Sequence, residues 1–337
     1  MPESGTITDP SVRAATLRRF TAFQILTATQ FDGAIWMIYL HSRGFSLGQI
    51  GLAESAFHLA PLLLELPSGV FADLVGRRWA LALGAALIAI SSALIWHAAS
   101  LPIVLLGMFL NGASYSVRSG ADQAYLYDTL RGDPEQAGGY AGTYGRILSA
   151  SYLVGAATIW IGARLSEEAY GLTYGVAIAV ALAAVRLALG LAERPPADQH
   201  DRPPRARSAL RGHLAETRRV IAGQPAVGIM LGFSAAFWTA WTIGELYLQT
   251  HFRDRGITNG EIGLVSALGL VLVGLGSRRA GWYARSVAFA PGLAVLVIVT
   301  GIGLVGTAGG SFIVAGAGFL AASLATGFIE PLLSAWF

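Results

Sequence analysis

Gly69-Val70-Phe71-Ala72-Asp73-Leu74-Val75-Gly76-Arg77-Arg78 is the stretch on which the reading of this chain turns. It lies between two long apolar runs and carries an acid and two arginines spaced by glycines. The connection is far too short to be a domain. Between two membrane helices it reads as a tight turn, because glycine admits positive φ and lets helices approach closely. Its charges then have to meet partners at the membrane face.

Apolar runs of this kind recur along the chain. The 337 residues are 54% apolar and only 13% charged, against roughly 25% charged in an ordinary soluble protein. Glycine is abundant, at 42 residues, as suits closely packed membrane helices. A bilayer-crossing helix needs roughly 20 apolar residues. Such stretches fall at 17–41, 48–72, 79–99, 102–130, 139–164, 171–192, 225–250, 260–278, 287–308 and 311–336. The pattern predicts an all-α polytopic membrane protein with about ten spans.

Residues 193–224 form the one long polar segment, with Pro195, Pro196, Pro203 and Pro204 among seven arginines. Within it, 208–224 reads either as a basic amphipathic helix on the membrane surface or as a flexible solvated linker. All 23 basic residues are Arg, a usage that points to a GC-rich bacterial genome. They crowd on alternate connections: Arg13, Arg18, Arg19, Arg77, Arg78, Arg131, the linker, Arg278, Arg279 and Arg285 on one side, and Arg43, Arg164, Arg253 and Arg255 on the other. That bias places the N-terminus and the linker in the cytoplasm and speaks of topology rather than of nucleic acid. The N-terminus has no cleavable-signal pattern. The absence of cysteine excludes disulfides and thiolate metal sites. No HExxH, Asp-rich loop or nucleotide-binding P-loop occurs, so neither metal nor cofactor is expected.

The pattern G-x-x-x-D-x-x-G-R-R resembles the signature loop between the second and third helices of major facilitator superfamily transporters. Six spans, a basic cytoplasmic linker and further spans are similar to that family's layout. The resemblance implies a two-bundle fold, each half an inverted pair of three-helix repeats. It divides the chain into an N-terminal bundle at 1–192, the linker at 193–224 and a C-terminal bundle at 225–337. A degenerate echo of the loop, Gly276-Ser277-Arg278-Arg279, stands between the eighth and ninth spans without the Asp. The family has about twelve helices, so the last two are expected to be absent from a chain that stops at Trp336-Phe337.

Ionisable groups inside spans cost about 2.5–3.5 kcal/mol each on insertion scales, so each requires a reason. Helical spacing puts Ile25, Thr29, Asp32, Trp36 and Tyr39 on one face of the first span. That stripe reads as a cavity wall, or Asp32 is the structural partner of an arginine. In the fourth span Asn111, Tyr115, Arg118, Asp122, Tyr125 and Thr129 recur at spacings of three and four. Arg118 cannot shed its proton and needs an anion, either Asp122 through an i,i+4 pair or Asp32. Glu54, His58 and Glu65 share a face of the second span. His58 reads as a satisfied buried histidine. In the seventh span Phe233, Phe237, Trp238, Trp241, Glu245 and Tyr247 cluster, with Phe237, Trp241 and Glu245 on one face. They suit a lipophilic cation through cation–π attraction, or form an aromatic girdle. Glu330-Pro331 is a lone acid before a kink.

The resemblance adds roles to these positions. Arg118 falls where a proton-coupling motif of the family falls, though its neighbours match that motif poorly. It implies a coupling group of Asp32, Arg118 and Asp122, with a purely structural clamp as the alternative. It also implies a cytoplasmic gate of Gly69, Asp73, Gly76, Arg77, Arg78 and Asp128. Leu74 stands where the family usually carries a basic residue, and residues 152–157 lack the Gly-Pro pair usual in its drug/proton antiporters. The expectation is proton-coupled export of a hydrophobic or cationic small molecule across a bacterial inner membrane, by a monomer that is not an enzyme. The alternatives are uptake of a metabolite, where an anionic substrate would use Arg118, or a non-transporting or truncated membrane protein.

Overall fold

The computed structural model describes residues 10–130, 139–192, 223, 225–309 and 311–336; the expectations for the polar segment 193–222 and for the side chain of Glu330 lie outside the described residues. Twelve helices are present among them: α1 (Pro10–Thr27), α2 (Trp36–Ser42), α3 (Leu47–Val75), α4 (Arg77–Trp96), α5 (Leu101–Arg118) and α6 (Ala121–Leu130). They continue with α7 (Gly139–Glu168), α8 (Tyr170–Leu189), α9 (Pro225–Asp254), α10 (Asn259–Ser286), α11 (Phe289–Thr307) and α12 (Phe312–Trp336). Eight of them are long and apolar enough to cross a membrane.

The two remaining sequence-predicted spans, the first and the fourth, are each split. Residues 28–35 are non-helical between α1 and α2, and Ser119-Gly120 separates α5 from α6. Neither piece of a split span meets the length and hydropathy of a crossing helix. These are the two spans that carry Asp32 and the Arg118/Asp122 pair. Sequence periodicity treats each as one rod, and that expectation is corrected here.

Helix starts follow local chemistry. The Ser46 hydroxyl accepts from the Gln49 N–H at 3.3 Å, and the Gln49 side chain accepts from the Ser46 N–H at 2.9 Å. This capping box satisfies the first donors of α3. Thr258 and Glu261 repeat it at the start of α10, at 3.2 and 2.9 Å. The duplication extends along the chain: Arg43-Gly44-Phe45-Ser46-Leu47-Gly48-Gln49-Ile50-Gly51-Leu52 matches Arg255-Gly256-Ile257-Thr258-Asn259-Gly260-Glu261-Ile262-Gly263-Leu264. Gly44 and Gly256 both take positive φ, 92° and 78°. The register carries on, since Leu47 stands to Arg77 as Asn259 stands to Phe289, each pair opening two consecutive helices. In that register α9 and α12 are the counterparts of the two split spans, and both run unbroken, α12 through Pro331.

The signature stretch is not a ten-residue turn. Residues 69–75 belong to α3, which also runs through Pro61 and Pro67, and α4 starts at Arg77. The whole connection is Gly76, at φ 110° and ψ 144°, a conformation essentially closed to residues with a Cβ. The echo Gly276-Ser277-Arg278-Arg279 is not a turn either, because α10 continues through it to Ser286. By the repeat register the counterpart of Gly76 is Ala288, so glycine and charge are both lost there.

The helices gather into two compact units. One comprises Ser42–Val154 together with the segments that end at Thr29 and begin at Tyr170. Its core is Phe20 and Phe23 of α1, Leu81 and Ala85 of α4, Leu126 of α6, Ile147 of α7 and Ala184 and Ala188 of α8. The other comprises Gln30–His41, Gly155–Ala169 and the C-terminal helices. Its core includes Phe237, Leu296, Ala325, Ile329 and Leu333.

Candidate functional site

The break in the first span is held open by side chains remote in sequence. The Gln30 N–H donates to Thr158 Oγ1 of α7 at 3.0 Å, and Gln249 Nε2 of α9 donates to Gly33 O at 2.9 Å. Gly162 of α7 packs directly on the Phe31 carbonyl, where any Cβ would overlap the oxygen. Non-helical backbone at membrane depth is tolerated only when protein or water satisfies it in this way. The Asp32 carbonyl then accepts from the N–H groups of Ile35 and Trp36, at 2.9 and 3.0 Å, and starts α2. Thr29 and Asp32 therefore do not share a continuous helical face with Ile25, Trp36 and Tyr39, and the expected stripe is corrected. Thr29 Oγ1 donates to Leu26 O at 2.8 Å. Trp36 and Tyr39 are buried in α2.

The break in the fourth span separates Arg118, the last residue of α5, from Asp122, in the first turn of α6. Gly120 takes φ 71°, and the i,i+4 geometry of a continuous helix is lost. Arg118 donates Nε to Ser114 O at 3.3 Å, with its stem packed against Gly84. It forms no ion pair among the described residues. Asp122 accepts instead from Gln24 Nε2 at 3.2 Å and from the Gln123 N–H at 2.6 Å. Tyr125 is buried, stacks on Phe20 at 5.3 Å and donates its hydroxyl to Ala192 O at 2.9 Å. Asn111 is half-buried, and Tyr115 is 59% exposed.

At the other end of α6, Arg77 pairs with Asp128 and also donates to Ala124 O at 2.7 Å. Asp73, Leu74 and Gly69 are exposed on the last turns of α3. The Arg78 guanidinium lies over the Trp79 ring, 5.1 Å from its centroid. His58 is exposed and hydrogen-bonded to Glu54 at 3.1 Å, which corrects its reading as a buried histidine. On α9, Phe237 and Trp241 are buried. Phe237 stacks with Phe233 at 6.2 Å, and Trp241 stacks on Phe319 of α12 at 5.9 Å. Glu245, one turn further on, is exposed.

The sequence reading missed a polar junction between α7 and the start of α10. Asn259 Nδ2 donates to Ser166 Oγ at 2.9 Å in a buried contact, and the Gly260 N–H donates to Glu167 Oε1 at 2.8 Å. Arg164 completes it through an ion pair with Glu167 at 2.7 Å. Gly263 packs against Ala163, one turn along. The signal that could have found it was the duplicated R-G-x-[ST]-x-G-[QE]-I-G-L segment, whose second copy supplies Asn259, Gly260 and Gly263.

Comparison with known proteins accords with this architecture. The sequence model described as Major Facilitator Superfamily matches residues 20–337. A curated relative, the uncharacterized MFS-type transporter YxaM of Bacillus subtilis (strain 168), is 33% identical over 92 residues. That match spans 27% of this chain and 23% of the relative's length. Among solved structures, a mutant of the nucleoside transporter NupG gives a TM-score of 0.75 at 13% identity, covering 96% of this chain and 82% of that one. A bacterial homologue of the human lysosomal transporter Spinster, inward-facing and unoccupied, gives 0.71 at 17% identity, covering 96% and 75%. A D-xylose-proton symporter gives 0.54 at 12% identity, covering 94% and 80%. Likeness at these identities is likeness of fold.

Proposed function

This chain belongs to the major facilitator superfamily, and we propose that it is a secondary active transporter coupling export of a hydrophobic or cationic small molecule to proton entry. The observation that carries this reading is Asp32. It sits in an unwound segment in the middle of the first predicted span, with no ion-pair partner among the described residues. A carboxyl in such a place is costly unless it works, and exchanging one proton for one cationic ligand is work it can do. Protonation from outside releases the substrate; deprotonation inside restores the site. Two states biased by one proton are sufficient. Arg118 and Asp122 are the accessory charged groups, and the Arg77–Asp128 pair with Asp73 forms the cytoplasmic gate. The arginine asymmetry supports a cytoplasmic N-terminus in a bacterial inner membrane. Phe237, Trp241 and Glu245 of the seventh span are the candidate substrate contacts, the first two buried and the third exposed.

A second reading, uptake of an anionic metabolite, draws support from Arg118, whose guanidinium forms no close ion pair among the described residues. One experiment separates the two: a growth-protection and uptake panel in a host lacking its own exporters, run with Asp32→Asn and Arg118→Gln. On the export reading Asp32→Asn abolishes pH-driven transport yet keeps substrate binding, now independent of pH. If Asp32→Asn still transports against a gradient under an imposed pH difference, Asp32 is not the coupling residue. If Arg118→Gln alone removes uptake of acidic compounds, the second reading replaces the first.

A further inference from the structure

The break in the first span is reached by one polar side chain whose chemistry is only half used. Gln249 of α9 is 4% exposed and donates Nε2 to Gly33 O at 2.9 Å. That bond fixes the amide's orientation, since reversing it would set two acceptor oxygens against each other. The other end, Gln249 Oε1, is buried and has no hydrogen-bond partner among the described residues. A buried acceptor left without a donor costs about 1–3 kcal/mol. Asp32, the neighbour of Gly33, has no ion-pair partner among the described residues either. An acid, on Asp32, and an orphaned amide oxygen, on the side chain bonded beside it at Gly33, thus both stand at the unwound backbone, and both groups are acceptors. What is wanted there is a donor or a positive charge.

We propose that the break is a binding site for a small monovalent cation, with Asp32 supplying the charge and Gln249 Oε1 a neutral oxygen ligand. Unwound segments of membrane helices serve coupling ions in this manner. A sodium ion and the ammonium head of a cationic substrate share the chemistry. The proposal rests on the assignment of Asp32 above and adds to it a ligand other than the proton and a residue from α9.

The test is thermal unfolding of the full chain in detergent at about pH 8, where an ordinary carboxyl is ionised. Sodium or ammonium chloride is titrated against N-methylglucamine chloride at constant ionic strength. A cation that binds only the folded chain raises the unfolding midpoint saturably. Gln249→Met removes the oxygen ligand; Gln249→Glu keeps an oxygen and adds charge. Both forfeit the donation to Gly33, and Glu in addition sets a carboxylate against that carbonyl, so a rise in affinity with Glu cannot come from better support of the backbone. Ligation predicts opposite signs: apparent affinity falls at least about tenfold with Met and rises about as much with Glu. Asp32→Asn abolishes the response. A response to sodium alone identifies a coupling ion, and one to ammonium alone identifies the substrate's head group. Equal loss in both Gln249 variants, or no cation-specific response in the parent chain, overturns the proposal. A parent chain without cation response that still moves panel compounds under a pH difference leaves the proton-coupled reading standing, so the two failures are distinct.

Discussion

Arg77 closes on Asp128 across 51 residues of sequence, joining the first turn of α4 to the far end of α6. The same guanidinium donates to Ala124 O one turn earlier at 2.7 Å. Two donations into one helix end make a clamp rather than a lone surface pair, and the clamp begins at the residue that follows Gly76. The signature stretch thus ties three helices at one point: it ends α3, starts α4 and holds α6.

Removing that clamp should alter the balance of states more than the fold. Arg77→Gln and Asp128→Asn are expected to insert normally, to lose roughly 1–3 kcal/mol of stability, and to lose most transport of any compound the parent chain moves. Asp73→Asn should impair transport with still less effect on stability, since Asp73 is exposed. Tryptophan-fluorescence melting and the transport panel, run on the same preparations, check this. Parent-like transport by Arg77→Gln would remove the clamp from the mechanism.

Gly76 should tolerate substitution less well than Gly120. Gly76→Ala forces a Cβ into φ 110°, ψ 144°, at about 1–3 kcal/mol. Gly120→Ala enters the left-handed region at φ 71° in open space, at roughly 1–2 kcal/mol. Melting midpoints of the two variants should fall in that order; the reverse order would mean that the α3–α4 connection relaxes freely.

Gly162→Ala should be more damaging than its size suggests. The added methyl would overlap the Phe31 carbonyl, and backbone cannot swing aside as a side chain can. Overpacking of this kind costs about 1–3 kcal/mol. Gly175→Ala, on α8 with nothing within 4 Å of the new carbon, is the control. It should be neutral or stabilising by up to about 1 kcal/mol. Equal melting of the two variants would mean that α7 does not press on the break.

The α7–α10 junction can be trapped, because the parent chain has no cysteine to interfere. Ser166 and Asn259 already touch through their side chains at 2.9 Å. Ser166→Cys with Asn259→Cys should cross-link under mild oxidant, arrest transport, and recover with reductant. Neither single variant should respond. Failure to cross-link in membranes, with both thiols reactive to maleimide, would show that the junction is open in the resting protein.

The two glycine-arginine segments show how far sequence reasoning reached. At 69–78 it read a turn, whereas seven of the ten residues continue α3 and the connection is Gly76 alone. At 276–279 it took Gly-Ser-Arg-Arg for an echo of the signature loop between two spans. Gly276 is instead a bare surface on which α10 meets Leu324 and Gly327 of α12. A glycine that turns the chain and a glycine that admits a neighbouring helix look identical in sequence. Arg118 and Asp122 made the same point, since their spacing promised a close i,i+4 ion pair whose helical geometry a two-residue interruption removed.

The sequence by itself determined the class of protein, the positions of the apolar stretches and the set of charged residues inside them. Apolar length and buried charge are local quantities, and a bilayer reads them stretch by stretch. It also held the duplicated segment that puts α3 and α10 in one register. Only the tertiary structure decided that the first and fourth spans are broken while their counterparts α9 and α12 are not. Unwound backbone inside a membrane persists only where other parts of the chain satisfy it. For residues 28–35 those parts are Thr158 and Gln249, which lie 128 and 216 residues from the groups they bond, a distance over which no local pattern carries information.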